Sequence, residues 1–122
     1  MNAKVLIVDD SALTRRTLRQ ILETAGCEVV EAEDGLAAIE RYFLEKPDVV
    51  MLDLVMRGMY GLEVLEKLRE LDTEARVVMV SADIQSTSRE MAEQAGARDF
   101  VNKPFDRTEI LTALNRVLTG AE

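Results

Sequence analysis

The sequence predicts an α/β fold with a parallel sheet, because short apolar segments alternate with longer segments of helical spacing. Five such pairs follow one another along the 122 residues of the chain. Strands that are joined through helices run parallel and become covered by helices on both faces. A chain of this length buries a core without disulfides or structural metal, so we expect residues 1–122 to form one domain.

The five apolar segments are the predicted strands, and they cover residues 4–9, 28–32, 48–53, 76–81 and 99–101. The first, third and fourth are continuously apolar, which is typical of strands covered on both faces. The second alternates and the fifth is short, so both belong at the edges of the sheet. The strand order 2-1-3-4-5 meets these requirements, and it is the flavodoxin-like order.

Apolar residues spaced three and four apart predict the five intervening helices. Their stripes are Leu18, Ile21, Leu22 and Ala25; Ile39, Tyr42 and Phe43; Val64, Leu65, Leu68 and Leu71; Met91, Ala92 and Ala95; and Ile110, Leu111, Leu114, Val117 and Leu118. The fourth helix, over residues 86–95, is the weakest of the five, because it has only Met91 and two alanines to bury. Gly26 and Gly96 mark helix ends, and Asp106 with Glu109 predicts a capping box at the last helix.

The composition excludes several classes of function. No apolar segment approaches the ~20 residues of a membrane span, and the N-terminus lacks the features of a signal peptide. The single cysteine, Cys27, fits a reducing compartment, so we expect a cytoplasmic protein with no membrane contact. A net charge of −8 disfavours direct nucleic-acid binding. The absence of histidine excludes a Ser-His-Asp triad, a zinc site with His ligands and a phosphohistidine carrier.

Polar residues follow the carboxyl ends of four predicted strands, where α/β sheets bind ligands. Asp9 and Asp10 end the first strand, Asp53 ends the third, Ser81 ends the fourth, and the fifth leads into Lys103. Three carboxylates in one place require a cation, and Mg²⁺ suits oxygen ligands. An Asp carboxylate is also a nucleophile toward phosphorus, in a transfer that depends on positioning and charge neutralisation.

Each of these residues also has a purely structural interpretation. Asp10 alone fits a helix N-cap, Ser81 alone a turn hydroxyl, and Lys103 alone a solvated surface lysine. The joint placement favours a site, because independent caps would not be expected at the same end of four strands.

Along its whole length the chain resembles the receiver domain of two-component response regulators, and single-domain chemotaxis regulators in particular. The matching stretches are VLIVDDSALTRRTLRQIL, DVVMLDLVM, GLEVLEKLR, VVMVSAD, AGARDFVNKPF and the final helix. The resemblance implies a phosphorylation switch rather than an enzyme that turns over substrate. A sensor histidine kinase or a histidine phosphotransfer protein would donate the phosphoryl group to Asp53.

The resemblance also implies the metal site and the binding partners. Asp9, Asp10, Asp53 and the backbone carbonyl of Val55 match the ligands of Mg²⁺, for which Mn²⁺ is a possible substitute. The surface of the fourth helix, fifth strand and last helix would bind an output protein, and a phosphatase is a further possible partner.

The residues implied to respond to phosphorylation lie on the fourth and fifth strands or just after them. Ser81 would be the switch hydroxyl, Lys103 the phosphoryl-contacting lysine and Phe100 the aromatic switch. Ala82, Asp83 and Pro104 would support them. The Lys103–Pro104 bond is expected to be cis. An ordinary edge-strand aromatic is the alternative for Phe100, and Asp83 with Val55 is expected to tune hydrolysis.

Two positions depart from the family pattern, in the loop after Asp53. Arg57 stands where the family usually has proline, and Tyr60 where it has an acid, so with Met59 this loop is a candidate partner contact.

Three other functions are alternatives to a receiver that is phosphorylated. Phosphatases of the haloacid dehalogenase kind carry a second Asp where this chain has Val55. A nucleotide or flavin module needs a glycine-rich phosphate loop after the first strand, which Ser11 and its neighbours do not supply. A metal-binding interaction module, and a receiver excised from a larger regulator, stay open.

Overall fold

The computed structural model describes residues 2–56, 58, 60–82 and 86–120, with the side chains of 86 and 87 left out. Within these residues five strands alternate with five helices, as predicted. Their bounds are β1 Lys4–Val8, α1 Ala12–Thr24, β2 Glu28–Ala32, α2 Gly35–Glu45, β3 Val49–Leu52, α3 Gly61–Leu71, β4 Val77–Ser81, α4 Ser86–Gln94, β5 Asp99–Asn102 and α5 Arg107–Thr119.

The strands form one parallel sheet in the order β2-β1-β3-β4-β5, which confirms the predicted flavodoxin-like α/β fold. In this register Val8 of β1 lies beside both Ala32 and Leu52, so the carboxyl ends of β2, β1 and β3 are level. We call the end of the sheet at which the parallel strands finish the carboxyl edge, and the end at which they begin the amino edge. β1 and β3 end one residue earlier than predicted, which leaves Asp9 and Asp53 just beyond their strands.

Helices cover both faces of the sheet, and each face has its own apolar core. Side chains alternate along a strand, so Leu6 of β1 belongs to the core that contains residues of α2, α3 and α4, while Ile7 belongs to the core that contains residues of α1 and α5. Leu65 of α3 and Leu114 of α5 are fully buried in the two cores. With cores on both faces, the sheet forms a rigid base for residues that extend beyond its carboxyl edge.

Three apolar side chains of the predicted stripes are not buried. Phe43, Leu71 and Met91 are each about half exposed (48%, 50% and 48%), so their predicted burial was wrong. A helix advances about 100° per residue, so the buried neighbours Tyr42 and Ala92 leave Phe43 and Met91 outside the contact face. Leu71 is the last residue of α3 and lies at the end of the packed stripe.

The predicted helix ends are confirmed. Gly26 and Gly96 adopt positive φ angles of 92° and 103° after α1 and α4. Asp106 and Glu109 form a capping box in which each side chain accepts the other's backbone N–H. The N-cap of α1 is Ser11, so the alternative of Asp10 as the cap is wrong. Among the described residues, every helix is too short or too polar to cross a membrane.

Candidate functional site

Three carboxylates meet at the carboxyl edge, as the strand order predicts. One oxygen from each of Asp9, Asp10 and Asp53 lies within 4.8 Å of the other two. Asp9 and Asp53 are buried, at 2% and 7% exposure, while Asp10 is partly exposed. The group is therefore open to solvent on the side of Asp10 and enclosed on the side of the sheet.

Lys103 bridges two of these carboxylates from the segment after β5. Its Nζ donates to Asp9 Oδ2 at 2.7 Å and to Asp53 Oδ2 at 3.3 Å. Burial acts to lower the pKa of Lys103, but the hydrogen bond that it donates to Asp9 and the negative charge of Asp53 outweigh burial and raise the pKa. The lysine is therefore a cation at neutral pH. Its bond to Pro104 is cis, as predicted.

The backbone holds Asp9 and its carboxylate in one orientation. The Asp9 N–H donates to the carbonyl of Ala32 at 3.2 Å, and the Ser11 N–H donates to Asp9 Oδ1 at 2.8 Å. The Arg15 guanidinium donates to the Asp9 carbonyl at 2.7 Å. With Lys103 on Oδ2, each polar group of Asp9 has a hydrogen-bond partner.

Asp53 is anchored by β1 and by a close approach of α3. Its N–H donates to the carbonyl of Val8 at 3.0 Å, and the Val55 N–H donates to its Oδ1 at 3.4 Å. Gly61 opens α3 and donates to the carbonyl of Leu54 at 2.7 Å. A Cβ on Gly61 would lie 2.7 Å from the Leu54 Cα, so only glycine lets α3 begin this close to the acceptor loop.

The remaining predicted residues belong to β4, to the segment after it and to β5. Ser81 is buried at the end of β4, and its carbonyl accepts the Lys103 N–H at 3.0 Å. Ala82 follows it and is exposed. Phe100 is partly buried on β5, where the Arg89 guanidinium carbon lies 4.6 Å from its ring centroid. Asp83 lies outside the described residues.

The loop after Asp53 is described only in part. Tyr60 is 36% exposed and occupies the N-cap position of α3 without a side-chain cap hydrogen bond. Val55 is half exposed. Arg57 and Met59 lie outside the described residues, so the proposed partner contact at this loop stays a prediction.

Sequence reasoning missed Arg15 and Gly61. For Arg15 the available signal was a possible ion pair. Glu31 lies on the predicted edge strand beside β1, and Arg15 lies one turn into the helix that follows β1. For Gly61 it was a glycine at a helix start, where a capping side chain is usual.

The donor set fits a hard divalent cation. Its atoms are carboxylate oxygens, which Mg²⁺ and Mn²⁺ accept. Three carboxylates face the single ammonium of Lys103, so the described part of the site holds more negative than positive charge.

Residues 5–115 match the response regulator receiver domain family. The chain belongs to this family. Receiver domains are signalling switches of two-component systems, and phosphorylation and Mg²⁺ binding are typical of them. This receiver is of the CheY type.

Three relatives show the range of proteins that this receiver resembles. It is 42% identical to the chemotaxis protein CheY of Bacillus subtilis over 97% of this chain and 99% of that protein. It is 51% identical to a protein-glutamate methylesterase/protein-glutamine glutaminase of Myxococcus xanthus, over 83% of this chain and 30% of that longer protein. CheY in the CheX–CheY–BeF₃–Mg²⁺ complex of Borrelia burgdorferi superposes with a TM-score of 0.90 at 36% identity, over 93% of this chain and 87% of that one.

Proposed function

We propose that residues 1–122 form one receiver domain whose Asp53 accepts a phosphoryl group from a phosphohistidine. The donor would be a sensor histidine kinase or a histidine phosphotransfer protein. One observation carries this proposal: the buried Asp53 carboxylate lies beside two further carboxylates and a lysine at the carboxyl edge. A nucleophilic carboxylate next to cationic groups is the arrangement that phosphoryl transfer requires.

In this proposal the acidic group serves as the metal site. Asp9, Asp10 and Asp53, with the backbone carbonyl of Val55, would hold Mg²⁺ or Mn²⁺. The bound ion supplies positive charge that neutralises phosphoryl oxygens. An Asp53 oxygen attacks phosphorus, the O–P bond forms as the P–N bond to the donor histidine breaks, and the electron pair leaves with the imidazole. No general base is needed, because the Asp53 carboxylate is the nucleophile.

Lys103 and Ser81 would respond to the new charge. The Lys103 ammonium already contacts Asp53, so a short movement carries it onto a phosphoryl oxygen. The Ser81 hydroxyl, at the end of β4, would donate to another oxygen. Phe100 on the neighbouring β5 would change its packing, and the surface of α4, β5 and α5 would transmit the change to an output protein.

The lifetime of the phosphorylated state would depend on the groups beside the acceptor. Val55 is half exposed two residues after Asp53, where it would limit the approach of water. Asp83 follows Ser81 and Ala82, where it would orient or repel that water. Hydrolysis in this proposal is a slow resetting step, assisted by a partner phosphatase. The B. subtilis relative supports a role of the chemotaxis type.

Labelling with a small phosphodonor tests the proposal. Wild-type protein incubated with labelled phosphoramidate and Mg²⁺ should form a hydroxylamine-labile phosphoprotein, and Asp53→Asn should lose this label. Asp48→Asn is the control, because Asp48 is an exposed aspartate at the amino edge whose carboxylate accepts the Lys4 N–H. Retention of the label at the same site in Asp53→Asn would refute the assignment. Mn²⁺ binding without any labelling of the wild type would instead indicate a metal-binding interaction module.

A further inference from the structure

Arg15 is the one basic side chain among the described contacts that grips the backbone of the acidic pair. We propose that Arg15, held by Glu31, is a positioning residue that sets the separation of the Asp9 and Asp10 carboxylates for cation binding. This inference rests on the metal site of the proposed function, and it adds a residue that touches neither metal nor phosphoryl group.

The Arg15 side chain connects three elements. It starts in the first turn of α1, is only 15% exposed, and reaches the end of β1 and the edge strand β2. One nitrogen donates to the Asp9 carbonyl at 2.7 Å, and Nε donates to Glu31 Oε1 at 2.9 Å. Because the guanidinium is planar and rigid, the two hydrogen bonds together fix its orientation.

The carbonyl that Arg15 grips belongs to the peptide bond between Asp9 and Asp10. This peptide is planar, so the direction of its carbonyl determines the direction in which the chain continues to the Asp10 Cα. The rest of Asp9 is held independently, through Ala32, Ser11 and Lys103. Arg15 therefore holds the peptide that leads from Asp9 to Asp10, and so contributes directly to where Asp10 lies relative to Asp9.

Because Glu31 neutralises the charge of Arg15, Arg15 acts on the acidic pair by holding its backbone rather than by adding positive charge. Its second oxygen accepts from Arg19 Nε at 2.6 Å. Burial acts to raise the pKa of Glu31, but the hydrogen bonds and charges of Arg19 and Arg15 outweigh it and lower the pKa. Glu31 is thus ionised at neutral pH and balances the charge that Arg15 would otherwise add beside the acidic group.

Arg19 supplies a matched control on the same helix. It shares the Glu31 carboxylate with Arg15, but its other bonds go to Glu23 and to the carbonyl of Val29. Removing either arginine deletes one ion pair with Glu31 and one positive charge. The two variants differ in whether the Asp9 carbonyl loses its donor.

The test is a Mn²⁺ titration followed by electron paramagnetic resonance, with Arg15→Ala, Arg19→Ala and Arg15→Lys compared with the wild type. Loss of an outer-shell partner typically weakens metal binding 10- to 100-fold, so we expect a Kd about 10-fold higher in Arg15→Ala. Arg19→Ala should stay within about twofold. Arg15→Lys should fall between them, because a single ammonium lacks the fork that holds carbonyl and carboxylate together.

A second readout separates positioning from a general loss of structure. In phosphodonor labelling, Arg15→Ala should raise the Mg²⁺ concentration for half-maximal rate and leave the rate at saturating Mg²⁺ within about twofold, because only metal affinity depends on the spacing. Equal Kd values for Arg15→Ala and wild type, or equal weakening in Arg15→Ala and Arg19→Ala, would overturn the inference. A wild-type protein that fails to bind Mn²⁺ would overturn the proposed function as well, so the two failures are distinguishable.

Discussion

A lysine bridges two carboxylates at each edge of the sheet, and the two bridges differ mainly in burial. At the amino edge, Lys4 Nζ lies 3.3 Å from Glu45 and 3.5 Å from Glu28. The Glu28 side chain is 68% exposed and that of Glu45 33%. At the carboxyl edge, Lys103 makes the same kind of bridge between side chains that are almost fully enclosed.

The carboxyl-edge bridge is the one that couples stability to ligand binding. The Asp9 and Asp53 side chains are only 3% and 8% exposed, so each loses most of its hydration. Buried charges without a partner are costly, whereas exposed ion pairs contribute little. The same charges that burden the fold at this edge are the groups that attract a divalent cation and a phosphoryl group.

Replacing each bridging lysine should produce the largest difference in stability between the two edges. In metal-free protein, Lys103→Met should lower the free energy of unfolding by about 2 kcal/mol, less than a fully buried pair because Lys103 keeps 21% of its exposure. Lys4→Met should change it little. Urea unfolding followed by circular dichroism measures both.

Mg²⁺ provides the control for the Lys103 effect. A cation that binds only the folded state stabilises it, so saturating Mg²⁺ should restore part of the stability lost in Lys103→Met. It should leave the stability difference between Lys4→Met and wild type unchanged. Equal losses in the two variants, or no recovery of Lys103→Met in Mg²⁺, would contradict this account of burial.

Gly61→Ala should have the next largest effect, because it forces α3 away from the acceptor loop. The added Cβ would meet backbone atoms of Asp53 and Leu54, which cannot rotate aside. Overpacking of this kind costs about 1–3 kcal/mol, and we expect it to be accompanied by slower phosphodonor labelling. Gly120→Ala is the control: it strains a positive φ of 72° but meets open space. Its labelling rate should equal that of the wild type, and an equal slowing in both variants would exclude the steric explanation.

The sequence predicts the carboxyl edge better than the surfaces of the helices. All five strands and their order follow from apolar runs, because burial on both faces demands continuous apolar residues. The position of Asp53 then follows from its place at a strand end. The spacing of apolar residues predicted burial wrongly at Phe43 and Met91. Spacing shows which face of a helix is apolar, but it does not show how much of that face the neighbouring elements cover.

Contacts between side chain and backbone were outside the reach of pattern reasoning. Arg15 reaches the Asp9 carbonyl because of the angle at which α1, which begins at Ala12 after its N-cap Ser11, packs on β1. Such an angle depends on packing in three dimensions, whereas residue spacing records only distance along the chain. The close approach at Gly61 is of the same kind, because it depends on where α3 lies over β3.

Glu31 tests an intermediate case, since its side chain is 29% exposed and held by two arginines. Its folded-state pKa lies below the usual 4.5, so its stabilising effect is present above pH 4.5 and is lost as the pH falls through the lower folded-state value. Glu31→Gln should therefore reduce the free energy of unfolding by about 1 kcal/mol at pH 7, and the gap to wild type should close below pH 4.5.

Urea unfolding between pH 3 and pH 7 measures that gap, with Glu28→Gln at the amino edge as the exposed control. Glu28→Gln should change stability little at pH 7, because its side chain keeps most of its hydration. A Glu31→Gln gap that stays constant down to pH 3 would mean that the glutamate acts through packing rather than charge. In that case the exposure of the side chains would not explain the stability differences between the Lys103 bridge, the Lys4 bridge and Glu31. The geometry of the Arg15 and Arg19 hydrogen bonds would then have to account for the effect of Glu31→Gln.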